Sequence, residues 1–440
     1  MTQKVITRFP PSPTGLMHIG NIRSLLFNYL YARKHDGEIV MRFEDTDRER
    51  SKQEYADLML KDLETLGLTY DSGPFYQSQK TERYVDVIKQ LIDSGFAYEG
   101  EESNDGTGKV IRFKNPNTEV AFVDCVRGEI TIDTTDFGDF VIARSMDNPL
   151  YHLTVVVDDI DGGITHVIRG EDHITSTPRQ ILLLQALNAQ VPVYTHLPLI
   201  VGEDKKKLGK RHGAVHLGEF IAQGYLPSAV VNQLALLGWN PGDEREIFTL
   251  EELTQEFSLN RIQKGGATFS YEKLDDINKQ HMLKLSSDDY EKHVREFLSG
   301  DIATRFDSTD GLLQRFIEKV LLPRVQKFSE VRDMEENNEM VYLFEAPKPD
   351  EELISFKDEG FEAAQKNTKL IAKKLQDLSE NNWNPESIKE LLWDWSGEVG
   401  RGSVLHPMRT TLTGLNRSPD PFTVAYLLGK EETITRLSAI

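Results

Sequence analysis

The apolar positions of the chain change period along its length. "KVITRF" (4–9) is a short apolar run that predicts a buried strand. In "IRSLLFNYLYARKHDG", Ile22, Leu25, Leu26, Tyr29 and Leu30 fall at helical spacing on one face. Asp36-Gly37 reads as a C-terminal stop, and "EIVMRFED" returns as a second strand. Strand, helix and strand with short connections predict a βαβ unit and a parallel sheet, which binds nucleotides at the carboxyl ends of its strands. From 77 to 150 the pattern turns polar and turn-rich, with short alternating strands in "VAFVDCVRGEITI" and "GDFVIARS". This predicts an α+β insertion within the nucleotide-binding domain. The parallel pattern resumes with "LTVVVDDIDGGITHVIRGED" and "RQILLLQALNA". Beyond 213 the spacing is mostly helical, and the last 150 or so residues lack strand alternation, as in a helical bundle.

At 440 residues the chain exceeds what one core accommodates. The expected division is a Rossmann-like catalytic domain at 1–76 and 151–204 with the insertion at 77–150. A helical connecting region at 205–286 and a helical domain at 287–440 follow. No apolar run approaches the ~20 residues that span a bilayer. With no signal-like N-terminus and one cysteine, Cys125, a cytoplasmic protein without disulfides is expected. The net charge of −20 argues against a nucleic-acid partner but does not exclude one. A basic face can coexist with acidic stretches such as 333–352, "DMEENNEMVYLFEAPKPDEE", which holds a single lysine.

Two stretches carry candidate chemistry. "FPPSPTGLMHIGN" lies where the first strand becomes a helix, and a helix N-terminus offers unpaired N–H groups to a phosphate. His18 and Asn21, three apart, share the first turn, and Gly20 allows a close backbone approach. The loop is neither a Walker sequence nor GxGxxG. A proline- and glycine-rich connection with a structural histidine is the plain alternative. Nearly two hundred residues later, "DKKKLGKR" (204–211) reads either as a solvated cationic surface or as a second phosphate-binding loop.

Taken together, "PSPTGLMHIGN" and "KLGKR" resemble the HIGH and KMSKS signatures of class I aminoacyl-tRNA synthetases. "RFPPSPTG", "RFEDTDRERS", "VIRGEDHITSTPRQ" and "KKLGKRHGA" are similar to bacterial-type glutamyl-tRNA synthetases, and "HPMRTTLTGLNRSPDPF" and "LLGKEETITRL" resemble that family's anticodon-binding region. The resemblance implies glutamate activation with ATP and Mg2+, then transfer to the 3′ end of tRNA(Glu), with tRNA(Gln) a further possible acceptor. It implies that the insertion contacts the acceptor end of the tRNA. His18, Asn21, Lys207 and Lys210 would act on the triphosphate, with Thr14, Gly20 and Arg211 supporting ATP and Glu171 the ribose. Arg8 and Arg169 would take the glutamate carboxylates and Glu44 its ammonium, with Pro10, Ser12 and Tyr151 completing the pocket. For each charged residue the alternative is an ordinary structural ion pair.

Two departures stand out. Gly209 replaces the serine central to the second signature, which predicts weaker loop closure. The stretch "YEGEESNDGTGKV" (98–110) lacks the Cys/His set that holds zinc in some relatives, so no zinc is expected. Arg315, Lys319, Arg324, Lys327, Trp393, Trp395, Arg401, Arg409 and Arg417 are basic or aromatic positions in the helical half, with solvated or core roles as alternatives. Other readings are a glutaminyl-tRNA synthetase, a truncated paralogue that glutamylates a modified base, an inactive tRNA-binding paralogue and a small HIGH-type adenylyltransferase. A monomer is expected.

Overall fold

The computed structural model describes residues 4–101, 109–206 and 216–440, and it divides into two units, 1–281 and 282–440. The first unit opens with β1 (Ile6–Phe9), α1 (Ile19–Lys34), β2 (Glu38–Phe43), α2 (Gln53–Thr65) and β3 (Ser72–Tyr76), whose strands pair in parallel in the order β1-β2-β3. The stop after α1 is built as its sequence suggests: Asp36 adopts φ +50°, and Gly37 sits where a Cβ would fall 2.3 Å from Val5 O.

The insertion follows as α3 (Thr81–Asp93), β4 (Ala97–Glu101), β5 (Lys109–Phe113), β6 (Glu119–Asp124), β7 (Gly128–Asp133), β8 (Phe140–Ser145) and β9 (Asn148–Pro149). The chain then returns through α4 (Tyr151–Asp161), β10 (His166–Gly170), α5 (Thr177–Ala186) and β11 (Val193–Leu197). The apolar run Leu153–Val157 lies in α4, not in a strand. Four to eight apolar residues suit either element, and here Gly162-Gly163 ends a helix before β10 begins.

β10 and β11 pair in parallel, and Thr165 N donates to Ile6 O at 3.0 Å, which lays β10 beside β1. The sheet β1-β2-β3 and the sheet that begins at β10 thus abut, and the spatial order β3-β2-β1-β10-β11 runs outward in both directions from the β1/β10 seam. That is the switch point at which doubly wound sheets bind ligands. β6 and β7 extend this sheet: Tyr194 of β11 registers with Asp124 of β6, and β7 pairs antiparallel to β6. β4, β5, β8 and β9 form a separate antiparallel sheet.

Both faces of the parallel sheet are covered. Met41 and Phe43 of β2 pack with Ile22, Leu26 and Phe27 of α1, whereas Val40 packs with Ile88, Leu153, Val156 and Leu183. This two-sided burial is why these strands read as near-continuous apolar runs.

The second unit is helical, from Ser287–Phe297 to Lys430–Ser438. Helix Leu312–Phe316 passes through a wide π turn at Ile317–Leu321. The fold is therefore a Rossmann-like parallel sheet with an α+β insertion, followed by a mostly α-helical half, as the apolar pattern predicts. Among the described residues no helix is long and apolar enough to cross a membrane.

Candidate active site

A cavity of about 690 Å³ opens at the carboxyl ends of β1 and β10. Ten of the expected site residues line it: Arg8, Pro10, Ser12, Thr14, His18, Gly20, Asn21, Glu44, Tyr151 and Arg169. Glu171 does not. Its carboxylate accepts from Leu199 N at 2.9 Å and pairs with Arg127. Lys207, Lys210 and Arg211 lie outside the described residues, as does Gly209. His216, the next described residue, borders the cavity and pairs with His18 through a backbone bridge.

At one end of the cavity α1 presents its N-terminus. His18 is its N-cap: Nδ1 accepts from Gly20 N at 3.0 Å and Asn21 N at 3.3 Å. An accepting Nδ1 places the proton of a neutral imidazole on Nε2, which makes that edge a donor. Gly20 is needed for this arrangement, because a Cβ there would fall 2.8 Å from His18 Cε1. Gly20 thus makes room for the histidine ring, and it also lines the cavity. Arg23, one turn on, is held by Leu237 O and Pro198 O, and burial pushes its pKa down to about 10.

Three further buried arginines stand in unlike surroundings: Arg8 and Arg169 line the cavity, and Arg42 shares Asp159 with Arg8. Arg8, 3% exposed, has Asp159 at 3.5 Å from Nε. Beside it Arg42 is 2% exposed and meets Asp159 Oδ1 at 2.9 Å, Glu44 Oε1 at 3.3 Å and Asp158 Oδ2 at 3.5 Å. Burial opposes the Arg42 charge, but Asp159, Glu44 and Asp158 outweigh it and its pKa rises. Asp158 also accepts from Gln77, Lys80 and Tyr84, so the cluster ties β2 and α4 to the start of the insertion. Burial raises the pKa of Glu44, against the pull of Arg42 and Arg8.

Arg169 has a different shell. Nε donates to His196 Nε2 at 3.2 Å, one terminal nitrogen to Gln180 Oε1 at 2.8 Å and the other to Thr177 Oγ1 at 2.8 Å. None of these acceptors carries a charge, and among the described residues no carboxylate lies within ion-pair distance. Burial lowers its pKa. The positive field is felt nearby. His173, 3.2 Å from Tyr151 Oη, is pushed down to about 4 by burial and then by Arg169. His152 is pushed to about 4 by burial, Arg179 and Arg169. A cavity that holds a helix terminus capped by His18, whose Nε2 edge donates in place of the occupied Gly20 and Asn21 N–H groups, together with buried cations beside a carboxylate, can hold a polyphosphate next to a zwitterion.

Sequence reasoning missed His173, Asp172 and His216 on the cavity wall, and Arg42, Asp158, Asp159, Thr177, Gln180 and His196 behind it. The one signal was proximity: His173, Thr177 and Gln180 follow Arg169 in "VIRGEDHITSTPRQ". Among the described residues no group of three His, Cys, Asp or Glu could hold a metal, and residues 102–108 of the stretch considered for zinc lie outside them.

In the second unit Trp393 lies between Lys389 (4.8 Å) and Arg401 (4.1 Å), and Lys374 lies over Trp395 (5.1 Å). Arg315 donates to Asp310 O, Lys319 pairs with Glu318 and Arg324 with Glu339.

Residues 4–107 and 99–276 match the catalytic domain of class I tRNA synthetases (E and Q), and 289–440 match an anticodon binding domain. Glutamate–tRNA ligase 1 of Alkalilimnicola ehrlichii is 39% identical over 472 residues, covering 99% of this chain and 97% of that protein. Glutamate–tRNA ligase of Nitrosospira multiformis is 39% identical over 468 residues, with 98% and 97% covered. Among solved structures, a glutamate tRNA ligase of Elizabethkingia meningosepticum in complex with its amino acid superposes with a TM-score of 0.85 at 27% identity, covering 99% of this chain and 98% of that one. With the cavity, the sheet order and both matched domains in agreement, the chain belongs to the glutamate–tRNA ligase family of class I tRNA synthetases.

Proposed function

We propose that the cavity activates L-glutamate with ATP and passes the glutamyl group to tRNA(Glu). The observation that carries this reading is the pairing of a helix N-terminus capped by His18 with a buried arginine that meets no carboxylate among the described residues, in one cavity at the β1/β10 switch point. In the first step a glutamate α-carboxylate oxygen attacks the α-phosphorus of ATP and pyrophosphate leaves. In the second, a 3′-terminal hydroxyl of the tRNA attacks the carbonyl carbon and AMP leaves. Neither step needs a covalent bond to the protein, so positioning and charge stabilisation do the work.

His18 Nε2 and Asn21 donate to phosphate oxygens at the N-terminus of α1, with Thr14 and Gly20 shaping that end. Arg169 and Arg8 receive the substrate carboxylates. Glu44 faces the ammonium, beside Pro10, Ser12 and Tyr151. Glu171 reaches a ribose only from the position in which Arg127 and Leu199 N already hold it. Lys207, Lys210 and Arg211, outside the described residues, act on the triphosphate. Mg2+ bound to the nucleotide would neutralise phosphate charge. The test is aminoacylation with labelled glutamate on tRNA(Glu) and tRNA(Gln) in parallel. Charging of tRNA(Glu) supports the reading, charging of both makes the enzyme non-discriminating, and charging of neither by folded protein with ATP and Mg2+ overturns it.

A further inference from the structure

We propose that Asp124 and His196 are positioning residues that set the guanidinium of Arg169 for the glutamate carboxylate. This rests on the assignment of Arg169 to the substrate.

The three residues form a buried line: Asp124 and His196 have side chains 0% exposed, and Arg169 is 6% exposed. His196 Nδ1 lies 2.8 Å from Asp124 Oδ2, and Arg169 Nε lies 3.2 Å from His196 Nε2. A carboxylate cannot donate, so Nδ1 carries the proton and Nε2 presents its lone pair to the Nε–H of Arg169. Burial keeps the ring neutral even though the Asp124 bond favours its charge. A protonated Nε2 would instead set two donors face to face.

Asp124 is itself locked by four N–H donors. Oδ2 accepts from His196 N (2.9 Å) as well as Nδ1, and Oδ1 accepts from Val126 N (2.9 Å) and Arg127 N (2.8 Å) in the turn leading to β7. An amide in its place has a single acceptor oxygen. Asp124→Asn must therefore either present its NH2 to the turn amides or present it to His196, where it drives the imidazole to the opposite tautomer. His196 accepts only in the tautomer that Asp124 selects, and Thr177 Oγ1, which donates to His173 O, also lies 3.2 Å from the same Nε2. Gln180 and Thr177 stand on α5 and its first turn, whereas Asp124 belongs to β6 of the insertion. None of the three acceptors neutralises the guanidinium, so its charge is kept for the ligand and only its direction is set by the protein.

The experiment measures KM for glutamate and KM for ATP in tRNA(Glu) charging, with the thermal midpoint of each variant. The variants are Asp124→Asn, His196→Leu, His196→Gln and, as reference, Arg169→Gln. Losing one buried hydrogen bond to a charged group corresponds to about a tenfold to hundredfold effect. A rise of that size in KM for glutamate in Asp124→Asn and His196→Leu supports the proposal, provided that KM for ATP stays within about twofold and His196→Gln, which keeps an acceptor, recovers part of the loss. Should His196→Leu fail to fold, His196→Gln and Asp124→Asn carry the test. The positioning role is overturned if only Arg169→Gln raises KM for glutamate. It is also overturned if both KM values and the thermal midpoint move together, as for a purely structural contact. Unchanged KM for glutamate in Arg169→Gln overturns instead the assignment of Arg169 on which the proposal rests.

Discussion

Arg42 and Arg169 lie on strands of the two sheets that meet at the β1/β10 seam, both almost without exposure, and the protein treats their charges in opposite ways. Arg42 is met by Asp158, Asp159 and Glu44, and with Arg8 and Lys80 on the same carboxylates the charges balance inside the fold. Arg169 is met by Gln180, Thr177 and a neutral His196, which satisfy its N–H groups and leave its charge. Hydrogen bonding and charge compensation are separable requirements of a buried cation. Where both are met within the protein, the residue holds elements together. Where only the first is met, the remaining charge is available to a ligand.

The comparison breaks most sharply at Arg42. Arg42→Met leaves Asp158, Asp159 and Glu44 with only Lys80 and Arg8 as nearby cations among the described residues and should cost about 3–5 kcal/mol of stability, read from urea unfolding. A loss below about 1 kcal/mol would mean that Arg42 does not hold β2 and α4 together. Arg169→Gln should do the reverse. We expect glutamate kcat/KM to fall by two to three orders of magnitude, about 3–4 kcal/mol, with a thermal midpoint unchanged or higher.

The imidazoles sharpen the same contrast. His152, with a folded pKa of about 4 against 6.5, takes up a proton more readily when unfolded. Its contribution is therefore complete above pH 6.5 and is lost as pH falls towards 4, by about 3 kcal/mol at most. His152→Phe should flatten stability over that window in denaturation series at stepped pH. Because Arg169 helps to depress His173, Arg169→Gln should raise the His173 pKa above about 4 in an NMR titration. The smallest effect is expected at Gly20→Ala, where a methyl displaces the His18 ring from its cap. About 1 kcal/mol of stability should be lost with slower charging, checked by calorimetry and single-turnover kinetics.

Elements with local, periodic signals were readable from the chain. The β1–α1–β2 unit followed from apolar spacing and the Asp36-Gly37 stop, and the cavity wall from ordered signatures. Buried charge was not readable. Asp159 lies 117 residues from Arg42, and Asp124 72 residues from His196, so no spacing rule joins them. In a chain with 71 acidic residues, three that are buried look like the rest. Nor does a valine-rich run announce whether it is strand or helix, as Leu153–Val157 shows. The pairing of β6 with β11 joins segments that the change of composition at 77 and 150 had separated.

That pairing bears on how the protein can be rebuilt. A designer who grafts residues 77–150 from a relative as a cassette, with cuts where the composition changes, would also replace the edge of the parallel sheet. The backbone bond that Cys125 N makes to Tyr194 O would depend on the register of the incoming strand, and Asp124 would be exchanged without the His196 it was fitted to. A transplant that carries β11 together with β6 and β7 respects the stitching. The unit of exchange is a hydrogen-bonded edge, not a stretch of sequence.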